Sequence, residues 1–425
     1  MLKISKDNYT AAGFFAFFGL LVYSISPFSG YSYDTFCWMD WSNYIFEHGL
    51  KNIYSSKTDY LPLYHYILFI YGKLQGSVRN ITDHVHQLKL VTLLFEAGSA
   101  FILYHLLKEK YNNTHKALLY SLFYFCNLAI LYNCLLWGQV DGIYTFFIFA
   151  SVISAYNKRF FPAILCFILA VNMKLQAVIY LPLVAALILP SIQVTGSRKV
   201  LLSVLSVMLI QIMIILPFVL SGQFENLMKV VTGSVGKYPF ISLNAYNFWY
   251  LMVDGDLCTT EDTATFAGIA YMRWGQLMFI LTGFAALFHL IKPNILFLLK
   301  NKPFEVALWK ILITAALIPL LFFYFNTQMH ERYSHPALIF IAAYALLYKR
   351  PLLLVIVSIA YFINLEDVHR FMNYKNYHTY IMSADFTATL YGVCITWLFI
   401  DLYEMKPFSF MKHKQVKNSM ADNQI

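Results

Sequence analysis

Acids and bases make up only 12% of these 425 residues, so the stretches where they gather mark the candidate chemistry. In YDTFCWMDW, Asp34 and Asp40 sit among aromatics. A carboxylate placed there can take a proton from a sugar hydroxyl, provided it stays ionised and its neighbours hold it in position. Asp34 also opens a helix-like run, where it would serve as an N-cap accepting backbone N–H groups. The two roles are compatible, because a cap fixes the carboxylate. Asp40, six residues on, lies well round a helix from Asp34 and reads as a solvated acid or as a second acid behind the site. Asp59 in TDYLPLYHY precedes Pro62 by three positions, the place of a cap or first-turn acid; an acid among these aromatics also suits a sugar or a headgroup. WGQVDGIY brings Trp137, Gln139 and Asp141 together, either as an interfacial turn or as a sugar-binding edge with a stacking face and hydrogen bonds.

Cationic chemistry gathers in two places. Lys174, with Asn172 and Gln176 in VNMKLQA, either snorkels or binds phosphate as a point charge. In QMHERYSHP, His330, Glu331, Arg332 and His335 fall within six residues. Arginine offers a planar fork to phosphate oxygens and histidine a second donor, as a phosphate leaving group requires. The order HERYSH is not the HExxH of a zinc site, and no metal ligand set is expected. GxSxG, P-loop and dinucleotide fingerprints are absent, which leaves soluble-type enzyme folds without support. Glu96, in VTLLFEAGSAF, is the one carboxylate well inside an apolar run; such acids face the bundle interior with a partner, as an ion pair or a proton relay.

The elements that must position these residues are membrane spans. The chain is 59% hydrophobic with mean hydropathy +0.58, against about 45–50% apolar for soluble domains. The expectation is an all-α polytopic membrane protein, a single domain over 1–410 with a polar cytoplasmic tail at 411–425. About 12 spans fit, at roughly 10–29, 88–108, 116–135, 142–156, 160–173, 175–190, 200–220, 271–291, 305–325, 336–348, 351–364 and 381–403. The first lacks a small-residue cleavage site and reads as a retained span. Several are shorter than the ~20 residues a crossing helix needs.

Charge sets the orientation. With the N-terminus inside, Lys3, Lys6, Lys108, Lys110, Lys116, Lys158, Arg159, Arg198, Lys199, Lys292, Lys300, Lys302, Lys349, Arg350 and the tail lysines all fall in cytoplasmic connections. That bias explains the net charge of +9 without nucleic acid as a partner. The outer loops 30–87 and 221–270 then form an extracytoplasmic face. Trp38, Trp41, Tyr44, Ile45 and Leu50, then Leu61, Tyr64, Ile67 and Leu68, recur at helical spacing and read as two amphipathic helices in the interface. NAYNFWYL in the second loop reads as another. Six scattered cysteines read as small hydrophobes; only Cys37 and Cys258 fall in outer loops, where a bridge between them is weakly supported. Sequons at Asn8, Asn80 and Asn112 matter only in a eukaryotic secretory setting.

Asp34 with Trp41, DYLPLYHY, WGQVDGIY with NMKLQA, and MHERY occur in an order that resembles the GT-C membrane glycosyltransferases using polyprenyl-phosphate sugars. The chain is most similar to bacterial mannosyltransferase-like proteins related to the second mannosyltransferase of GPI-anchor synthesis, and in places to the glucosyltransferases of N-glycan assembly. Leu61 replaces the first proline of the usual DYPPxY, and NMKLQ stands for TKPQ. The resemblance implies a GT-C-like bundle with interfacial helices in the long first outer loop. It also implies inverting transfer of a hexose, mannose first, from a polyprenyl-phosphate donor to a glycan or glycolipid acceptor. The enzyme would lie in a bacterial inner membrane with its active site outside the cytoplasm. Asp34 would be the base, with Asp59, Trp41, Tyr64, Trp137, Gln139 and Asp141 around acceptor and sugar. His330, Arg332 and Lys174 would hold the donor phosphate, supported by Glu331 and Gln176. No cofactor is implied, and a divalent ion is left open. The alternatives are a lipid-glycan ligase or polymerase of similar fold and a twelve-span secondary transporter; the transporter predicts two related halves and midplane ionisable groups.

Overall fold

The computed structural model describes residues 17–28, 30–234, 236–300, 304–377 and 379–405. The start of the first expected span, Ser29, Lys3, Lys6, Asn8, Lys302 and the tail lie outside them. Among the described residues seven helices are long and apolar enough to cross a membrane: Val85–Tyr111, Leu175–Thr195, Ser197–Leu220, Tyr271–Lys300, Leu308–Phe325, Pro351–His369 and Ala384–Leu402. Thr114–Phe125 and Leu128–Trp137 form an eighth if the bent pair, 49° apart, is one span. This is a mostly helical, multi-pass membrane protein.

Helices of spanning length account for seven or eight of the twelve expected spans. Asp141–Tyr156, Phe160–Met173 and Ala337–Tyr348 are apolar but shorter. At 1.5 Å rise per residue the longest of them is about 24 Å, under the ~30 Å hydrocarbon core. Burial shows why composition alone does not fix the count. Eleven residues of Ala337–Tyr348 are buried, and Leu308–Phe325 beside it is 72% buried, whereas Ser197–Leu220 is only 11% buried. A helix packed against protein on every side is apolar whether or not it crosses lipid, so composition cannot separate the two.

Turns are set locally. Val85–Tyr111 stops where Asn112 adopts a left-handed φ of 48°, and the Asn113 side chain caps the next helix by accepting from Lys116 N at 2.9 Å. Asn127 restarts the chain after the bend, capping Ala129 N at 3.0 Å.

The two long loops, 30–87 and 221–270, pack against the rest of the chain. In the first, Ser32–His48 packs on Pro62–Gln75, with Trp38 against Tyr64 at 4.9 Å between ring centroids. Trp38, Trp41, Ile45, Tyr64 and Leu68 are buried, so the apolar face expected at headgroup depth is a protein interface. Tyr33, Phe36, Ile70 and Leu74 are the exposed apolar side chains of this pair. In the second loop NAYNFWYL is also packed: Trp249 donates to Phe325 O at 2.9 Å and Asn247 to Phe323 O at 3.0 Å. Ser242–Leu243 pairs in parallel with Met329–His330, and buried Asp262 accepts from Thr327 and Gln328, each at 2.8 Å. Asp262, the last acid of DGDLCTTED in this loop, thus clamps the start of the 327–336 turn. All six cysteines are free, Cys37 and Cys258 included.

Candidate functional site

Two tight turns bring distant segments together. Gly30 has φ +85°, and a Cβ there would meet Trp137 O at 2.6 Å, so this approach requires glycine. Next to it Tyr31 N donates to Trp137 O at 2.8 Å. Trp137 ends a π-helical turn, Tyr132–Trp137, closed by left-handed Gly138; such widened turns re-aim side chains. The Asp34 carboxylate, in the first turn of Ser32–His48, is consequently met by two donors through its Oδ2: Trp137 Nε1 at 2.8 Å and Gln139 Nε2. Oδ1 accepts no hydrogen bond among the described residues. Asp34 is not the N-cap; Tyr31 occupies that position.

Beside it lies an ionic cluster whose Arg332 and Lys174 both feel the Asp34 charge. Asp141 opens the next helix and is fully buried. Lys174, at the end of Phe160–Met173, donates to its Oδ1 at 2.5 Å, and Arg332 Nε stands 3.9 Å from its Oδ2. Arg332 Nη1 donates to Glu331 Oε1 at 2.6 Å, with His330 Nδ1 3.8 Å from Glu331 Oε2. Lys174 and Arg332 keep 12% and 13% of their side-chain surface exposed, the carboxylates of Asp141 and Glu331 only 0% and 3%. The cations are thus the partly exposed members of the cluster and the acids its buried ones. Asp141 Oδ2, Arg332 Nε and Gln139 Oε1 are buried without a hydrogen-bond partner.

Electrostatics follows from burial. Burial alone would raise the Glu331 carboxyl, but Arg332 and His330 hold it down at about 2. Burial, then Arg332, pushes the His330 imidazole below its usual value. Burial likewise lowers the Lys174 ammonium, against Asp141, while the Arg332 guanidinium is driven further up despite burial by Glu331, Asp34 and Asp141.

The remaining sequence-predicted residues divide. Asp59 is neither cap nor buried: Leu61 occupies the cap, and Asp59 pairs with Lys237 of the second loop, both about half exposed. Trp137 is buried between Tyr31 (4.7 Å) and His369 (5.4 Å), which leaves the indole as a donor to Asp34 with no open face for stacking. Trp41 and Tyr64 are buried in the aromatic interface. The Gln176 carbonyl oxygen is buried and unpartnered. His335 leaves the cluster its neighbours form: its Nε2 stands 2.9 Å from Glu96 Oε1, and Tyr124 donates to Glu96 Oε2 at 2.6 Å. Sequence reasoning missed Tyr60 and Tyr333. Burial raises the Tyr60 phenol, which also feels Arg332, Asp141, Asp34 and Asp59, and Tyr333 feels Arg332, Asp141, Glu331 and Asp59. Among 32 tyrosines only adjacence to Asp59 and Arg332 singled them out.

No protein-family model matches this chain, and no curated protein matches its sequence.

Proposed function

We propose that the chain is an inverting hexosyltransferase of GT-C type that uses a polyprenyl-phosphate sugar. The observation that carries this reading is the convergence of a pinned carboxylate, Asp34, with the Asp141–Lys174–Arg332–Glu331 cluster, drawn from four distant segments. Held through Oδ2, Asp34 keeps Oδ1 for the acceptor hydroxyl. The hydroxyl oxygen attacks the anomeric carbon as its proton passes to Asp34. A new carbon–oxygen bond forms, the bond to the phosphate oxygen breaks, and the lipid phosphate leaves with the electron pair. Arg332 Nε and Lys174 meet that charge, and preorganised donors of this kind are each worth about 10²–10³ in rate. Glu331 and Asp141 keep the cations in place until the phosphate arrives. In this reading the three shorter helices and the run at 10–29 complete a bundle of about twelve spans. The termini lie in the cytoplasm, and the site opens outside it in a bacterial inner membrane.

The experiment is a donor comparison. Membranes containing the chain receive labelled polyprenyl-phosphate mannose, polyprenyl-phosphate glucose or the matching nucleotide sugars, with lipid extracts as acceptors. Transfer from a lipid-phosphate sugar and none from nucleotide sugars is expected. Transfer from neither, with solute uptake instead, sinks the proposal.

A further inference from the structure

The far end of the bundle carries a groove unrelated to the ionic cluster. Its volume is about 560 Å³, within the ~300–1,000 Å³ of ligand sites. It runs along the bent pair Thr114–Phe125 and Leu128–Trp137, walled by Phe123, Leu128, Leu354, Val355, Ile359 and Phe362. The bend creates it: the helix breaks at Asn127, whose side chain donates to Ser358 Oγ at 2.7 Å across the groove. Tyr111 fixes the opposite wall, donating to Leu346 O at 2.6 Å. Phe123, Leu128, Val355 and Ile359 remain exposed, so the groove opens sideways, on the lipid side of a multi-pass protein.

One end is apolar and the other is cationic. Lys349 lines the groove and is exposed, in a left-handed turn of φ 59°. Lys116 lies over the Tyr111 ring at 4.0 Å and over Tyr120, also a lining residue, at 5.4 Å. Lys110 lies over Tyr348 at 5.2 Å. Nearby acids are already engaged: Asp401 with Arg350 and Tyr344, and Glu404 with Lys310. Glu109 is the single carboxylate of the 108–116 turn against Lys108, Lys110 and Lys116. An apolar trough ending in lysines that form no ion pair among the described residues matches an amphiphile with a hydrocarbon tail and an anionic head.

We propose that this groove is a binding site for an anionic glycerophospholipid, one acyl chain lying along the bend and its phosphate at Lys349 and Lys116. The occupant holds together the two halves of the bent helix and the Pro351–His369 helix.

The test uses the full chain, purified in mild detergent and titrated with phosphatidylglycerol or phosphatidylcholine of identical acyl chains. Retained lipid is counted by native mass spectrometry and thermal unfolding is followed. Phosphatidylglycerol is expected to be retained and to raise the midpoint, phosphatidylcholine much less. Lys349→Gln with Lys116→Gln should lower affinity for phosphatidylglycerol roughly 25-fold, each lysine near an anionic headgroup contributing about fivefold. Ile359→Trp, which fills the groove without touching the lysines, should abolish the shift. Equal retention of both lipids, or an undiminished response in both variants, overturns the proposal. So does a polyprenyl phosphate that displaces phosphatidylglycerol and takes over the dependence on Lys349.

Discussion

Two ionic clusters share the 330–335 turn and are built to opposite ends. Glu96 is fully buried and satisfied, by Tyr124 on one oxygen and His335 on the other. His335 in turn meets Tyr361 at 3.2 Å. The Asp34–Arg332 cluster has partly exposed cations, a carboxylate with one oxygen pinned, and buried polar atoms without hydrogen-bond partners in Asp141, Arg332 and Gln139. A buried ionic group whose valences are all filled holds a fold together; one that keeps donors and acceptors in reserve has something left to bind. The turn 330–335 supplies both, sending His330, Glu331 and Arg332 outward and His335 inward.

Substitutions on the two sides should therefore separate activity from stability. Asp34→Asn retains an acceptor for Trp137 and Gln139 but removes the base; the rate of sugar transfer should fall about 10²–10⁴-fold, measured as initial rates per folded protein. Glu96→Ala strips His335 and Tyr124 of their partner; it should cost about 3–5 kcal/mol of stability, read as a lowered unfolding midpoint.

Acid sharpens the comparison within the Asp34–Arg332 cluster. Glu331 is held at about 2 against a usual 4.5, so its contribution is complete above the unfolded value and is lost as pH falls from about 5 toward 2. That amounts to on the order of 3 kcal/mol. Glu331→Gln should flatten this part of the stability–pH curve, followed by tryptophan fluorescence. The smallest effect belongs to Asp59–Lys237, an exposed pair. Lys237→Gln should change stability by about 0.2–1 kcal/mol, and less in high salt; a larger loss would move the pair from rim to site.

The sequence carried the long helices because hydropathy is a local property, and it carried Asp34, Lys174 and Arg332 as polar groups stranded at span ends. Glu96 was legible as an acid needing a partner. The partner itself was not, since His335 lies 239 positions away and sits in a motif that points elsewhere. For the same reason Asp34 gave no sign, from its own stretch, of Trp137 and Gln139, and Asp59 none of Lys237. The packed first loop was misjudged because an aromatic face looks the same whether lipid or another helix covers it. Of the twelve expected spans, seven or eight are matched by helices long enough to cross, because Ala337–Tyr348 and the other short helices are apolar but fall below spanning length.

The most direct measurement sets Asp34→Asn beside Glu96→Ala in the same membranes, with label transfer from polyprenyl-phosphate mannose or glucose and the unfolding midpoint both recorded. The account predicts that Asp34→Asn keeps its midpoint and loses transfer at least 100-fold, whereas Glu96→Ala loses midpoint and transfers near the wild-type rate per folded molecule. Wild-type transfer undiminished by Asp34→Asn, or no transfer by the wild type from any lipid-phosphate sugar, would contradict it.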